Sequence, residues 1–170
     1  MLLSMDTDRI RGVLFVCMGN ICRSPAGEGL LRDLVEKRGL ADRVEIDSAG
    51  TIGYHVGNPA DGRMRRAAER RGYRLTTRAR QVTPQDLERF DLVVAMDRAN
   101  YDDLVALRAD CADRVRMLGS FLSEAPEPGG PLGPDVPDPY YGGDGGFEAV
   151  LDMIERAAPA ILEHLSVVAV

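Results

Sequence analysis

Residues 13–25 read VLFVCMGNICRSP and contain three structural signals in immediate succession. The run 13–16 is continuously apolar and rich in β-branched residues, which is typical of a strand buried on both faces of a parallel sheet. The Gly19-Asn20 pair follows, and both residues tolerate left-handed backbone angles. The Ser24-Pro25 pair is typical of a helix start, with Ser24 as the cap and Pro25 as the first helical residue. The stretch is therefore predicted to fold as a strand, a tight loop and a helix.

A loop of this kind directs its backbone N–H groups over a helix N-terminus, which is a geometry that binds anions such as phosphate. Cys17 directly follows the predicted strand, and Arg23 comes six positions later. We expect the Cys17 thiol to be ionised near neutral pH, because the helix start, the amides and the guanidinium favour the charged form. A thiolate beside a bound phosphate can attack phosphorus. Arg23 can hold two phosphate oxygens and stabilise the transition state, and the Ser24 hydroxyl can donate a hydrogen bond to the thiolate.

Residues 17–25 resemble the signature loop of the low-molecular-weight protein tyrosine phosphatases, which has the form Cys-x-Gly-Asn-x-Cys-Arg-Ser-Pro near the N-terminus. The resemblance extends from Gly12 to about Leu165. It implies a four-stranded parallel sheet flanked by helices on both sides, with an N-terminal phosphate-binding loop. Segments that resemble family segments, in family order, are Asp47–Thr51, Ala79–Gln81, Ala95–Asp97 and Asp138–Gly142.

Strand and helix patterns alternate along the remaining chain, which independently predicts an α/β fold with a parallel sheet. We expect one domain over residues 11–166, preceded by a loose lead-in over residues 1–10. Loops are predicted over 48–58 and over the proline-rich segment 123–138. Further strands are predicted over 44–47, 91–96 and 115–118, and further helices from Asn58-Pro59 to about Gly72, after Met96, and from Phe147 to Leu165 with a bend at Pro159.

Composition narrows the class of protein. Hydrophobic residues make up 45% and charged residues 28% of the chain, which is a globular balance. The net charge of −6 argues against nucleic acid or an anionic membrane surface as a partner. No apolar segment is long enough to span a bilayer, and the N-terminus lacks a signal-peptide core, so we expect a cytoplasmic protein. Three cysteines and two histidines without a Cys-x-x-Cys pair argue against a disulfide framework and against a zinc site, and no cofactor is expected.

Arginines are concentrated between residues 63 and 80, and they admit two interpretations. One is a nucleic-acid surface. The other is a solvated face that is balanced by acidic residues elsewhere, and we favour it because no aromatic residues are interleaved as stacking platforms.

Transfer of a phosphoryl group from a phenol to Cys17 requires a general acid, because a phenolate leaves far better when it is protonated as it departs. Asp138 is the candidate, since it lies between Pro137 and Pro139 and since the resemblance implies the acid in this Asp-Pro-Tyr-Tyr segment. Taken alone, an Asp-Pro pair is more typical of a turn. After the transfer, the same carboxylate can activate water to hydrolyse the phosphocysteine, so that no metal is needed.

The resemblance also implies an aromatic cleft around the loop. Tyr54, Tyr140 and Tyr141 are expected to form its walls and to stack on a substrate ring, although each could equally be a half-buried packing residue. A deep slot would admit an aryl phosphate to the thiolate, whereas a phosphoserine would be too short to reach it. Contacts with the phosphate or substrate are also expected from the rest of the loop, namely Met18, Gly19, Asn20, Ile21, Cys22 and Ser24.

Cys22 lies in the same loop as Cys17, so oxidation could be trapped as a reversible Cys17–Cys22 disulfide, but a packed thiol is an equal alternative. Many family members carry a histidine that buttresses the loop asparagine, and Thr77 stands at that position here. The rigidity of the loop therefore needs a different explanation in this chain. Surface or incidental roles are expected for Cys111, which lies in a polar helix-end context, and for His55 and His164.

The predicted function is hydrolysis of protein phosphotyrosine and of small aryl phosphates. An arginine phosphatase on the same scaffold is the nearest alternative, but such relatives tend to have threonine where Ile21 stands and phenylalanine where Tyr140 stands. An arsenate reductase needs further cysteines in mid-chain, and residues 72–100 contain none. A silent phosphate-binding docking module is disfavoured because all the catalytic residue types are present.

Overall fold

The computed structural model describes residues 9–143 and 145–165, so the lead-in expected over residues 1–10 falls almost entirely outside the described residues. Its centre is a four-stranded, fully parallel sheet in the order β2-β1-β3-β4. This arrangement confirms the predicted α/β class and sheet. The strands are β1 (Arg11–Cys17), β2 (Val44–Gly50), β3 (Leu92–Ala95) and β4 (Val115–Met117).

Helices cover both faces of the sheet. The alternation of β1 explains this, because Val13 and Phe15 pack into one buried cluster while Leu14 and Val16 pack into another. The first cluster includes apolar residues of α1, α2 and α5, and the second includes those of α3 and α4. The helices are α1 (Arg23–Lys37), α2 (Gly62–Arg70), α3 (Pro84–Arg89), α4 (Arg98–Leu107) and α5 (Gly145–His164), with 3-10 helices at Ala109–Arg114 and Leu118–Phe121.

The predicted helix start at Ser24-Pro25 is wrong in detail. Helix α1 begins at Arg23, and its capping position, Cys22, makes no side-chain cap hydrogen bond. The Ser24 hydroxyl is instead engaged with the Cys17 thiol and the Asn20 amide. Because Ser24 makes these contacts, it does not cap α1, and the loop before it determines where the helix begins.

Strands β1, β3 and β4 differ from their predicted bounds by one or two residues, and three other elements differ by more. Strand β2 continues to Gly50, because residues 48–50 pair with β1 rather than entering a loop. Helix α2 begins at Gly62 rather than at Asn58, since the Asp61 side chain accepts the Arg63 N–H and caps the helix there. Helix α3 was missed, although Thr83 and Asp86 form a capping box around Pro84.

The predicted end of α2 at Gly72 and the predicted range of α5 agree with the structure. Gly39 and Gly72 have φ of +69° and +86° just beyond α1 and α2, which are the left-handed positions that end a helix. Helix α5 continues on both sides of Pro159. Cys111, by contrast, is buried in the second apolar cluster, so its expected polar context is wrong. None of the helices within the described residues combines the length and the apolar character that crossing a bilayer requires.

Candidate active site

The loop from Met18 to Cys22 joins β1 to α1 at the carboxyl edge of the sheet. Two of its carbonyl groups accept from neighbouring segments: the N–H of Ile52 donates to Met18 at 3.1 Å, and that of Asp61 donates to Ile21 at 2.7 Å. Within the described residues, none of the backbone N–H groups of residues 18–22 donates a hydrogen bond. Bonded carbonyls and free N–H groups at a helix N-terminus are the arrangement that an anion site requires.

Asn20 holds the loop from behind. Its backbone is left-handed, with φ of 56°, and its side chain is fully buried. The Asn20 amide donates to Ser24 Oγ at 2.8 Å and to Ser48 Oγ at 3.0 Å, while its Oδ1 accepts the N–H of Arg80 at 3.0 Å. Ser24 Oγ accepts from Asn20, so its own hydrogen has two acceptors within reach, the Cys17 Sγ at 3.0 Å and the Ala49 carbonyl at 3.4 Å. Asn20 and Ser24 therefore position the thiol and do not line the cavity.

Thr77 completes this network. It stands at the position for which the sequence analysis noted a histidine in many related sequences. Its hydroxyl donates to Glu28 Oε2 at 2.5 Å, and Ser48 Oγ, which accepts from Asn20, donates to Glu28 Oε1 at 3.3 Å. Burial raises the pKa of Glu28, although the hydrogen bond from Thr77 and the charge of Arg32 oppose the rise. A continuous chain of hydrogen bonds thus supports the loop without a histidine.

Arg23 is 3% exposed and lies among oxygen atoms. Its Nη1 donates to Asp97 Oδ2 at 2.6 Å and to the Val136 carbonyl at 3.1 Å, and its Nη2 lies 3.5 Å from Asp138 Oδ2. Burial alone would lower the pKa of the guanidinium, but the charges of Cys17 and Asp97 and the hydrogen bond to Asp97 raise it overall. The guanidinium therefore stays charged and fixed in orientation.

Asp97, which accepts from Arg23, was not predicted as a site residue, although the sequence analysis includes it in a segment that resembles the family. It directly follows β3, which neighbours β1 in the sheet, so its side chain and Cys17 share the carboxyl edge. Its position directly after a parallel strand could have indicated Asp97 as a site residue, because ligands of parallel sheets bind at this edge.

A cavity opens above the loop. Asp138 reaches it from the proline-rich segment, with the Tyr140 N–H donating to its Oδ1 at 3.1 Å. Tyr54 is 83% exposed and is absent from the lining, whereas His55, for which a surface role was predicted, lines the cavity. The lining residues are Cys17, Met18, Gly19, Ile21, Cys22, Arg23, His55, Asp138, Tyr140 and Tyr141.

The rings at the rim contact one another. Tyr54 packs edge-on against His55 with ring centres 4.8 Å apart, and Tyr140 packs edge-on against Tyr141 at 4.9 Å. His55 and Tyr140 face each other with ring centres 6.3 Å apart. Of the three predicted tyrosines, two therefore line the cavity, while Tyr54 supports His55 from outside.

Cys22 is buried in the same cavity wall as Cys17. Burial raises the pKa of its thiol strongly, and the nearby negative charges of Asp61, Cys17 and Asp138 add to the rise. The two thiols are in different environments, since the Cys17 Sγ lies 3.0 Å from Ser24 Oγ and, among the described residues, Cys22 makes no such contact. Over the described part of the chain, no group of three His, Cys, Asp or Glu side chains is arranged to hold a metal ion.

Comparison with known proteins agrees with this geometry. Residues 12–168 match the family model described as low molecular weight phosphotyrosine protein phosphatase. A low molecular weight protein-tyrosine-phosphatase of Streptomyces coelicolor is 46% identical, covering 88% of this chain and 90% of the relative. The human low molecular weight phosphotyrosine protein phosphatase is 38% identical, covering 94% and 98%. A crystal structure of a protein tyrosine phosphatase from Entamoeba histolytica superposes with a TM-score of 0.84 at 36% identity, covering 92% and 97%.

Proposed function

The chain belongs to the low molecular weight phosphotyrosine protein phosphatase family, and from that premise we propose that Cys17, Arg23 and Asp138 carry out the hydrolysis of protein phosphotyrosine. One observation carries the assignment. The thiol, the guanidinium and the carboxylate line a single cavity above a loop whose N–H groups are unbonded within the described residues.

In the first step, the Cys17 thiolate attacks phosphorus, so that an S–P bond forms and the bond from phosphorus to the tyrosyl oxygen breaks. Protonated Asp138 gives its proton to the departing oxygen. The loop N–H groups and Arg23 hold the equatorial phosphoryl oxygens, on which charge develops. Asp97 orients Arg23 through its 2.6 Å contact with Nη1.

In the second step, water attacks the phosphocysteine while the Asp138 carboxylate takes its proton. The S–P bond breaks, phosphate is released, and the Cys17 thiolate is restored with the Ser24 hydroxyl directed at it. Each proton and electron pair is accounted for by residues of this chain, so we propose that the reaction needs no metal or cofactor.

His55, Tyr140 and Tyr141 form the walls that select an aryl ring. The remaining loop residues divide into two groups in this proposal. Met18, Gly19, Ile21 and Cys22 contact the substrate or its phosphate, whereas Asn20 and Ser24 position the loop and the thiol.

Cys22 supports a reversible oxidised state. A peroxide would oxidise the Cys17 thiolate to a sulfenic acid, and attack by Cys22 would form the disulfide and release water. Both thiols are buried in one wall of one cavity, which favours this pairing over reaction with an outside thiol.

The proposal also includes the bounds of the catalytic domain, its cellular compartment and its partners. We assign a catalytic domain over residues 11–166 that works in the cytoplasm on phosphotyrosine proteins and binds no nucleic acid. The net charge of −6 and the three free cysteines support this assignment.

The test is turnover of p-nitrophenyl phosphate and of a phosphotyrosine peptide in the presence of EDTA. C17S is expected to abolish both activities, while the matched cysteine variant C111S, which lies outside the cavity, keeps them. D138N is expected to slow substrates with poor leaving groups more than those with good ones, because only poor leaving groups depend on the acid. Turnover by C17S at the parent rate, or a preference of the parent for phosphoarginine, would contradict the proposal.

A further inference from the structure

Helix α2 carries a second cavity on its arginine-rich face, beside the active site. We propose that this arginine cavity binds an acidic side chain of the substrate, a phosphate or a carboxylate, a few residues away from the phosphotyrosine. The proposal rests on the proposed function and specifies which phosphotyrosine proteins the enzyme prefers. The arginine cavity is lined by Arg63, Arg66, Ala67, Arg70 and Phe147.

A single guanidinium separates the arginine cavity from the active site. Cζ of Arg63 lies 5.5 Å from the ring centre of Tyr140, which lines the active-site cavity, and 4.9 Å from that of Phe147, which lines the arginine cavity. Nη2 of Arg63 also donates to the Tyr140 carbonyl at 3.1 Å, so the partition is fixed. An extended peptide advances roughly 3.3 Å per residue, and a side chain about three residues from the phosphotyrosine therefore reaches the arginine cavity.

Within the described residues, one of the three arginines that line the arginine cavity has no acidic partner. Arg63 pairs with Asp61 at 3.1 Å, and Arg70 pairs with Glu148 at 3.3 Å. Arg66, in contrast, makes no ion pair or side-chain hydrogen bond with any part of the chain that the structure describes. An anion entering the arginine cavity would meet a cation that has no competing partner among those residues.

Phe147 and the N-terminus of α5 strengthen the attraction of the arginine cavity for an anion. Phe147 is 1% exposed, and its apolar ring reduces the local dielectric, so that charge interactions in the cavity are stronger than at an open surface. Phe147 also lies in the first turn of α5, whose N-terminus contributes a partial positive charge. Both features favour a compact anionic group.

A nucleic-acid surface is a poorer fit to the same arginines. Arg65 donates to the Ala60 carbonyl, and Arg71 is occupied by Glu148 and Glu155 of α5, which removes them from an extended basic stripe. Among the arginines that line the cavity, Arg66 is the one that lacks an ion pair and a side-chain hydrogen bond within the described residues. A cavity with one such arginine matches one side chain rather than a nucleic-acid backbone.

The test uses sets of three phosphotyrosine peptides that differ only at one position, which carries Gln, Glu or phosphoserine. One set is made for each position on either side of the phosphotyrosine. For the parent enzyme at low salt, we expect KM to be about 5-fold lower with Glu than with Gln and lower again with phosphoserine, with kcat unchanged. R66Q should lose this discrimination. R74Q, which changes an exposed arginine outside the arginine cavity, should keep it.

Equal KM values for the three peptides in the parent, or an equal loss in R66Q and R74Q, would overturn the proposal. Stronger inhibition of the parent than of R66Q by a single-stranded RNA, without any peptide discrimination, would assign the arginines to nucleic acid instead. Turnover of p-nitrophenyl phosphate, which cannot reach the arginine cavity, should be the same in all three proteins. A parent without that turnover would overturn the proposed function itself, so the two failures are distinguishable.

Discussion

At the residue scale, Asp97 uses its two carboxylate oxygens for different purposes. Oδ1 accepts the N–H of Asn100 and caps α4, whereas Oδ2 accepts from Nη1 of Arg23. D97N keeps an acceptor for the cap but presents an amide to Arg23, and D97A removes both interactions. The pair of variants therefore separates the orientation of Arg23 from the stability of α4.

We expect both variants to lower kcat/KM for p-nitrophenyl phosphate by about 10-fold or more, because Arg23 loses the partner that orients it toward the transition state. D97A should in addition lower the free energy of unfolding by about 1 kcal/mol relative to D97N, through loss of the cap. Steady-state kinetics and urea unfolding measure the two effects. Parent-like kcat/KM in D97N would contradict the positioning role.

Glu28 makes the stability of the protein depend on pH. Burial raises the pKa of its carboxyl above the usual value of 4.5, so the folded protein binds this proton more tightly than the unfolded chain does. The stabilisation from the bound proton is complete at pH values below 4.5 and is lost as the pH rises through the folded-state pKa.

E28Q lacks this proton, and its stability relative to the parent should therefore increase as the pH is raised from about 4.5 toward neutrality. Urea unfolding at several pH values measures the difference. E69Q, which removes one exposed carboxylate from α2, is the control for the loss of a negative charge. A difference between E28Q and the parent that stays constant across this pH range would contradict the account.

At the element scale, the proline-rich segment 123–138 is an irregular loop that is nevertheless fixed in place. The N–H of Val136 donates to Met96 at the end of β3, and the N–H of Met117 in β4 donates to Pro131, both at 2.8 Å. Gly133 packs directly on Gly119, so that a Cβ on Gly133 would lie 2.1 Å from backbone carbon. The segment therefore brings Asp138 to the cavity as a rigid arm.

G133A should lower the free energy of unfolding by about 2 kcal/mol or more, because backbone must move on both sides of the contact. The displacement should also slow substrates with poor leaving groups, which depend on Asp138. G143A has open space around its new methyl group and should stay within about 0.5 kcal/mol of the parent. Equal stability and kinetics in the two variants would count against a rigid arm.

The elements themselves were predictable to different extents. The irregular character of residues 123–138 follows from their prolines, but the contacts that fix the segment do not, since they join backbone groups far apart in the chain. The start of α2 was misplaced because Asn58-Pro59 is a strong local signal, whereas the bridge from Pro59 to Arg78 holds that pair in an extended segment. The capping box of α3 was a readable signal that was overlooked.

At the scale of the whole molecule, the sheet brings together residues from distant parts of the sequence. Cys17 ends β1, Asp97 follows the neighbouring strand β3, and Asp138 arrives from the arm beyond β4. The shared position of Cys17 and Arg23 at the cavity could be predicted, because the two residues flank the same short loop. That His55 rather than Tyr54 lines the cavity could not be predicted, because the two residues are adjacent in an irregular turn where no periodicity sets side-chain direction.

The central claim is that the phosphoryl group passes through the Cys17 sulfur. The most direct measurement is mass spectrometry of peptides from acid-quenched D138N that has been mixed with excess p-nitrophenyl phosphate, since this variant lacks the base for the second step. We predict one added phosphoryl group on the peptide that contains Cys17, and none when the C17S change is combined with D138N. A phosphoryl group found on another residue, or turnover of the substrate without any covalent adduct, would contradict the account.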